Sequence, residues 1–338
     1  MARLAGSVQS VVMHVGLPKT GTTTLQKQVF QGLPNYFGKE QLDSAPVIFR
    51  GFAQLRDVIQ FRPPEWWKTR DALKVRTMLG RVARDLPKLG SRVIISFENM
   101  IATEFFGPNK GAYERPDGTR FHPSEHFPAI LNALAPDRTR TVVLVTCRQQ
   151  WTWLPSLYAQ LSDRIPSASQ QHFDHELDKI LSSDWLDRST LNLLALGTQI
   201  VANVRPDSLT FLPVESMGTR DYADALAKTL GVRAENTERA VLAPSFNARH
   251  QADDSWKLRQ FGSGFSGRRG VPARTPPGHI SESGLDPRPG GVHNPGRISL
   301  NALRQQEIRH VVSETNGRVP AEWTPVGLPG YAQRRGQQ

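Results

Sequence analysis

Cysteine is almost absent: Cys147 is the only one in 338 residues. No intrachain disulfide can form, so the core alone must hold the fold, a condition that fits a reducing compartment. Long apolar runs are missing as well. No stretch approaches the roughly 18 consecutive apolar residues of a membrane-spanning helix, and Met1–Gln9 carries one arginine and no long apolar run. A bilayer span and a cleaved secretory leader are therefore not expected, and the expected location is cytoplasmic. Acidic residues are in short supply: 31 Asp and Glu face 42 Lys and Arg, a formal net charge of +11. That surplus points to an anionic partner (a nucleotide, an acidic glycan, a nucleic acid or a membrane surface) without choosing among them, and it also serves plain solubility.

Enough apolar residues remain, 38% of the chain, to bury a sizeable core in one large α/β domain. Short apolar runs at Val11–Val15, Arg92–Phe97, Thr141–Thr146 and Leu209–Leu212 read as buried strands. Between them lie helical patterns at Thr23–Phe30, Asp71–Leu86 (with Leu73, Val75, Leu79 and Val82 inward), Ser124–Leu134, Trp151–Leu161, Phe173–Leu181, Ser189–Val204 and Tyr222–Leu230. Residues 34–70 read as loops and short helices, and 107–122 as a polar surface loop. Residues 262–296 turn to Gly, Pro, Arg and Ser, the composition of a flexible loop, and the segment 325–338 reads as a frayed tail. A helix-like stretch is expected from Ser299, with Leu303 and Ile308 among its apolar residues. Strands alternating with helices predict an α/β fold, a central, mostly parallel sheet flanked by helices, with ligands at the C-terminal strand ends. Gly16–Thr23, Glu98 and Arg148 all lie at such ends.

Residues 16–22 read GLPKTGT. Glycines at both ends let the backbone turn so that successive N–H groups and the positive end of the next helix make an anion cradle. A triphosphatase loop needs Lys directly after the second Gly. Thr22 stands there, and the basic residue lies inside the loop as Lys19. The alternative is an ordinary Gly-rich turn after a strand.

The string P-K-T-G-T-T-x-L from Pro18 to Leu25, together with Arg148 and Ser156 spaced eight apart in R-Q-Q-W-T-W-L-P-S-L-Y, resembles the two anion motifs of the sulfotransferases. These enzymes use 3′-phosphoadenosine 5′-phosphosulfate (PAPS). The resemblance implies a P-loop-type three-layer fold, as a single domain over residues 10–324. It implies that Pro18, Lys19, Thr20, Gly21, Thr22 and Thr23 hold the 5′-phosphosulfate, and that Arg148 and Ser156 grip the 3′-phosphate. A guanidinium fork suits that phosphate. Further pieces resemble the family in SLTFLPVESM (208–217), APSFN (243–247) and the E-T-N-G at 314–317. The chain departs from it at Gln150, where many members have Pro. Pro155 falls inside the expected helix, where a kink would shift Ser156.

The implied reaction moves a sulfuryl group from PAPS to a hydroxyl or amine of an acceptor such as a carbohydrate or lipid. Lys19 would steady the leaving charge, Glu98 would take the acceptor proton, and the scheme requires no metal. His122 and His126 are rival bases, on a loop that could close over an acceptor. Each could equally be a loop histidine without a catalytic role, as Glu98 could be a structural ion-pair partner and Arg148 a surface one. His14 reads as a core residue. Trp151 and Trp153 could stack on adenine but fit helix packing better. Ser266-Gly267-Arg268-Arg269-Gly270 could approach a phosphate, although such a string arises easily in a low-complexity segment. Two other readings stand beside this one: an ATP-using P-loop phosphotransferase, or a non-catalytic polyanion-binding module on the same fold. No nucleic-acid partner is expected under the leading reading.

Overall fold

The computed structural model of the chain describes residues 7–33, 35–37, 55, 57–98, 100–101, 106, 115, 117–181, 191–242, 255–259, 297–299, 301, 303–306 and 308–309. Five strands form one sheet: β1 (Ser10–Gly16), β2 (Tyr36–Phe37), β3 (Arg92–Glu98), β4 (Arg140–Cys147) and β5 (Ser208–Pro213). Their order across the sheet is β2-β3-β1-β4-β5, and every pairing is parallel. The apolar runs become strands because a parallel sheet is covered on both faces, so nearly every side chain along a strand must be apolar. Burial of β1 is almost continuous from Val11 to Gly16.

Side chains alternate between two helical layers. Val11, Met13 and Val15 join Val93, Ile95, Phe97, Val143 and Val145 in one core. That core is closed by α2 (Leu73–Asp85), α3 (Phe127–Leu134), α4 (Gln150–Leu161), α5 (Gln170–Leu181) and α6 (Leu193–Val204). Val12, Ile94, Val142, Leu144 and Leu212 face the opposite layer. There α1, which begins at Thr22–Thr24 and continues to Phe30–Gly32, lies beside α7 (Arg220–Leu230) and α8 (Glu235–Leu242). The helix α1 opens with α geometry at Thr22–Thr24, widens to π geometry at Leu25–Val29 and closes as a 3-10 turn at Phe30–Gly32. The three-layer α/β fold expected from the alternation is thus present. No helix among the described residues is long and apolar enough to cross a membrane.

Some local expectations change. Leu73 is 57% exposed rather than inward, because the buried stripe of α2 runs through Val75, Leu79 and Val82. Pro155 does not interrupt α4, which runs from Gln150 to Leu161. Nine of its twelve residues are buried, and that packing overrides the local cost of the missing N–H. Ser299 ends a strand rather than starting a helix: β6 (Ser255–Lys257) pairs antiparallel with β7 (Arg297–Ser299). Leu303 is 77% exposed, whereas Ile308 is buried. The segments 262–296 and 325–338, the Ser266–Gly270 string, APSFN and the E-T-N-G lie outside the described residues.

Candidate anion site

In this strand order, β1 is central, and the chain leaves it first toward β3 and later toward β4. Open α/β sheets place ligands in the crevice above such a reversal. Gly16 pairs with Glu98 on one side and Thr146 on the other. The ends of β1, β3 and β4 therefore stand together, as the sequence led one to expect. For Glu98 this places the backbone beside the start of the loop.

The loop after Gly16 is fixed one carbonyl at a time. The Thr20 hydroxyl donates to the Leu17 carbonyl at 2.6 Å. The indole N–H of Trp153, on α4, donates to the Pro18 carbonyl at 2.6 Å. Arg148 Nη1 donates to the Lys19 carbonyl at 3.3 Å. Three successive carbonyls, those of Leu17, Pro18 and Lys19, are thus held by side chains. Lys19 itself has φ 66°, an uncommon conformation for a residue with a Cβ, and its side chain is exposed.

Gly16 has no room for a side chain, because an added Cβ would collide with Thr22 and Thr146. Gly21 has φ 74° and stands at the N-cap of α1, where no side chain caps the helix. The Leu25 N–H bonds back to the Gly21 carbonyl at 3.1 Å. The first turn of a helix is where backbone donors are offered to anions. Thr23 is half-buried, while Thr20 and Thr22 are buried. The Thr20 hydroxyl lies within the loop, 3.0 Å from Thr146 Oγ1. Through these two contacts the Thr20 side chain braces the loop from within.

Arg148 leaves the end of β4 and turns back over the loop. Its Nε donates to Thr152 Oγ1 at 3.1 Å, and its side chain is 23% exposed. The Thr152 hydroxyl donates to the Gln149 carbonyl at 3.0 Å. Glu215, just past β5, accepts the Gln149 N–H at 2.9 Å and lies 4.0 Å from Arg148 Nε. Burial pushes the Glu215 carboxyl up from its ordinary value, against the Gln149 amide and the Arg148 charge, which pull it down. Cys147 is buried, and burial raises its thiol well above the usual range. Ser156 is half-buried, one turn beyond Thr152 on the same side of the unbroken helix.

The structure brings Arg148 into direct contact with Lys19, two residues before Gly21; it does not bring the histidines to them as exposed groups. His122 is buried and caps the 3-10 turn Pro123–His126: its Nδ1 accepts from the Ser124 N–H, and Glu125 accepts the His122 N–H at 2.8 Å. His126 is buried and accepts the Trp67 indole N–H at 2.8 Å. Neither lies on an exposed loop, because both complete local hydrogen bonding. Burial lowers each to about 4. His14 is a core residue, with Nδ1 2.7 Å from Ser96 Oγ, and burial lowers it to about 3. Trp153 is fully buried, and Trp151 is 7% exposed with the Arg309 guanidinium over its ring. Both are packing residues, not an open stacking platform.

The sequence did not point to Thr146, Thr152 or Trp153 as loop supports. Trp153 carried one usable signal: a buried indole needs an acceptor for its N–H. Among the described residues there is no group of three or more His, Cys, Asp or Glu placed to hold a metal ion. Compared with known proteins, the chain matches no protein-family model and no curated protein.

Proposed function

We propose that the chain is a sulfotransferase that moves a sulfuryl group from PAPS to a hydroxyl or amine of an acceptor, of carbohydrate, lipid or small hydroxylated type. The observation that carries this reading is the hydrogen bond from Arg148 Nη1 to the carbonyl of Lys19. It ties a phosphate-type loop carrying an internal lysine to a guanidinium at the next strand end. A donor with phosphates at both the 5′ and 3′ positions needs a second cationic group beside the first anion site, and a 5′-nucleotide without the second phosphate does not.

In the proposed reaction the acceptor oxygen or nitrogen forms a bond to sulfur. The bond from sulfur to the 5′-phosphate oxygen breaks, and adenosine 3′,5′-bisphosphate departs with the electron pair. The acceptor proton passes to a base, for which Glu98 is the candidate. The amides of Gly21, Thr22 and Thr23 would hold the 5′-phosphate, and Lys19 would balance the charge that develops on the leaving oxygen. Arg148, with Ser156 one turn beyond Thr152, would hold the 3′-phosphate.

The test is release of adenosine 3′,5′-bisphosphate from PAPS in the presence of a panel of hydroxyl and amine acceptors. Wild-type turnover should fall by at least a hundredfold in Lys19→Ala. Glu98→Gln should lower kcat while donor binding is retained. A Lys19→Ala enzyme with the wild-type rate would refute the assignment.

A further inference from the structure

We propose that Glu215 is the positioning residue of the 3′-phosphate site, holding Arg148 and the first turn of α4 against the loop. The proposal rests on the sulfotransferase reading and deepens it. Glu215 closes a ring of contacts. Its Oε1 accepts the Gln149 N–H at 2.9 Å and stands 4.0 Å from Arg148 Nε. That same Nε donates to Thr152 Oγ1 at 3.1 Å, and Thr152 donates to the Gln149 carbonyl at 3.0 Å. The carboxylate and the threonine hydroxyl thus occupy the Nε edge of the guanidinium. The Nη edge is turned toward the loop, where Nη1 meets the Lys19 carbonyl.

Two features separate this carboxylate from a surface ion-pair partner. Its side chain is only 18% exposed, and Oε2 is a buried oxygen with no hydrogen-bond partner. A buried carboxylate that leaves one oxygen unsatisfied is costly, and a buried apolar side chain in its place would avoid the cost. An apolar side chain could neither accept the Gln149 N–H nor face the guanidinium. The turn carrying Glu215 also reaches the other anion locus: Val214 and Met217 lie where a Cβ on Gly21 would fall, 2.9 and 2.8 Å away. One short segment after β5 therefore braces both the 5′-phosphate loop and the arginine.

The experiment measures, by calorimetry, the affinities of adenosine 3′,5′-bisphosphate and AMP for wild type, Glu215→Ala, Glu215→Gln and Glu215→Asp. In Glu215→Ala the preference for the bisphosphate over AMP should fall at least tenfold, with AMP affinity changed less than threefold. Glu215→Gln keeps an oxygen acceptor for Gln149 and should restore the preference to within threefold of wild type. Glu215→Asp keeps the charge but withdraws it by one methylene, and it should lose at least tenfold; it carries the test if the alanine variant does not fold. An unchanged preference in both Glu215→Ala and Glu215→Asp, or equal losses for the two nucleotides, would reduce Glu215 to a structural residue and overturn the proposal while leaving the sulfotransferase reading intact. A wild type that does not prefer the bisphosphate would overturn both.

Discussion

Gly21→Ala probes the loop through its backbone. Gly21 has φ 74°, where a Cβ costs about 1–2 kcal/mol. The added methyl would lie 2.9 Å from Val214 Cγ2 and 2.8 Å from Met217 Cε, well inside the 3.5–4.0 Å at which carbon atoms attract. Met217 has rotatable bonds and can yield, whereas Val214 is stiff at χ1. Overpacking of this kind costs about 1–3 kcal/mol, with the lower end appropriate where one neighbour gives way. The two effects together predict a loss of about 2–4 kcal/mol. Gly80→Ala is the internal control. Gly80 lies inside α2 with nothing within 4 Å of an added Cβ, so alanine should stabilise the protein by about 0.5–1 kcal/mol. Urea unfolding followed by tryptophan fluorescence measures both. Opposite signs are expected, and a Gly21→Ala variant within 0.5 kcal/mol of wild type would refute the described loop conformation.

Acid should destabilise the protein through its buried histidines. His122 and His126 are lowered by burial to about 4 and His14 to about 3, from an ordinary 6.5. Unfolding therefore takes up protons between these values and 6.5. Their contribution is complete above about pH 6.5 and is lost as pH falls toward 4 and then 3. For His122 alone the loss approaches about 3 kcal/mol by pH 4. His122→Asn, which keeps a capping acceptor, should flatten the fall of the unfolding midpoint between pH 6.5 and 4; identical slopes would contradict the assignment. Trp153→Phe removes the donor to the Pro18 carbonyl and should cost about 1–3 kcal/mol of stability. It should also weaken bisphosphate and AMP binding together, because the loop serves both; calorimetry that shows neither variant affinity changed would argue against the indole as a loop anchor.

The strands were legible because a parallel sheet demands nearly continuous apolar runs, and Val11–Val15, Arg92–Phe97 and Thr141–Thr146 have them. The positions of the turn after β1 and of Arg148 after β4 were legible because they follow directly from the strand ends in the sequence. The wiring between them was not. Trp153 meets Pro18 across 135 positions, and Glu215 meets Gln149 across 66. Such pairs depend on which strands become neighbours, which local patterns do not encode. Pro155 misled for a related reason. Its local effect on a helix is unfavourable, yet burial of most of α4 fixes the helix from outside. His122 and His126 read as loop residues from the polar sequence before them, but a capping turn and the Trp67 indole draw them inside. β2, α8 and the β6–β7 pair are short, with two, eight, three and three residues, too few to show a period against their surroundings.

The central claim is tested most directly by thermal unfolding of the purified protein with adenosine 3′,5′-bisphosphate, AMP or Mg-ATP, each titrated separately. A ligand at a hundred times its Kd adds about 2.7 kcal/mol of stability. Strong stabilisation by the bisphosphate, little by AMP and none specific to Mg-ATP is the expected result. Stabilisation by Mg-ATP without a response to the bisphosphate would contradict it and make the loop that of a phosphotransferase.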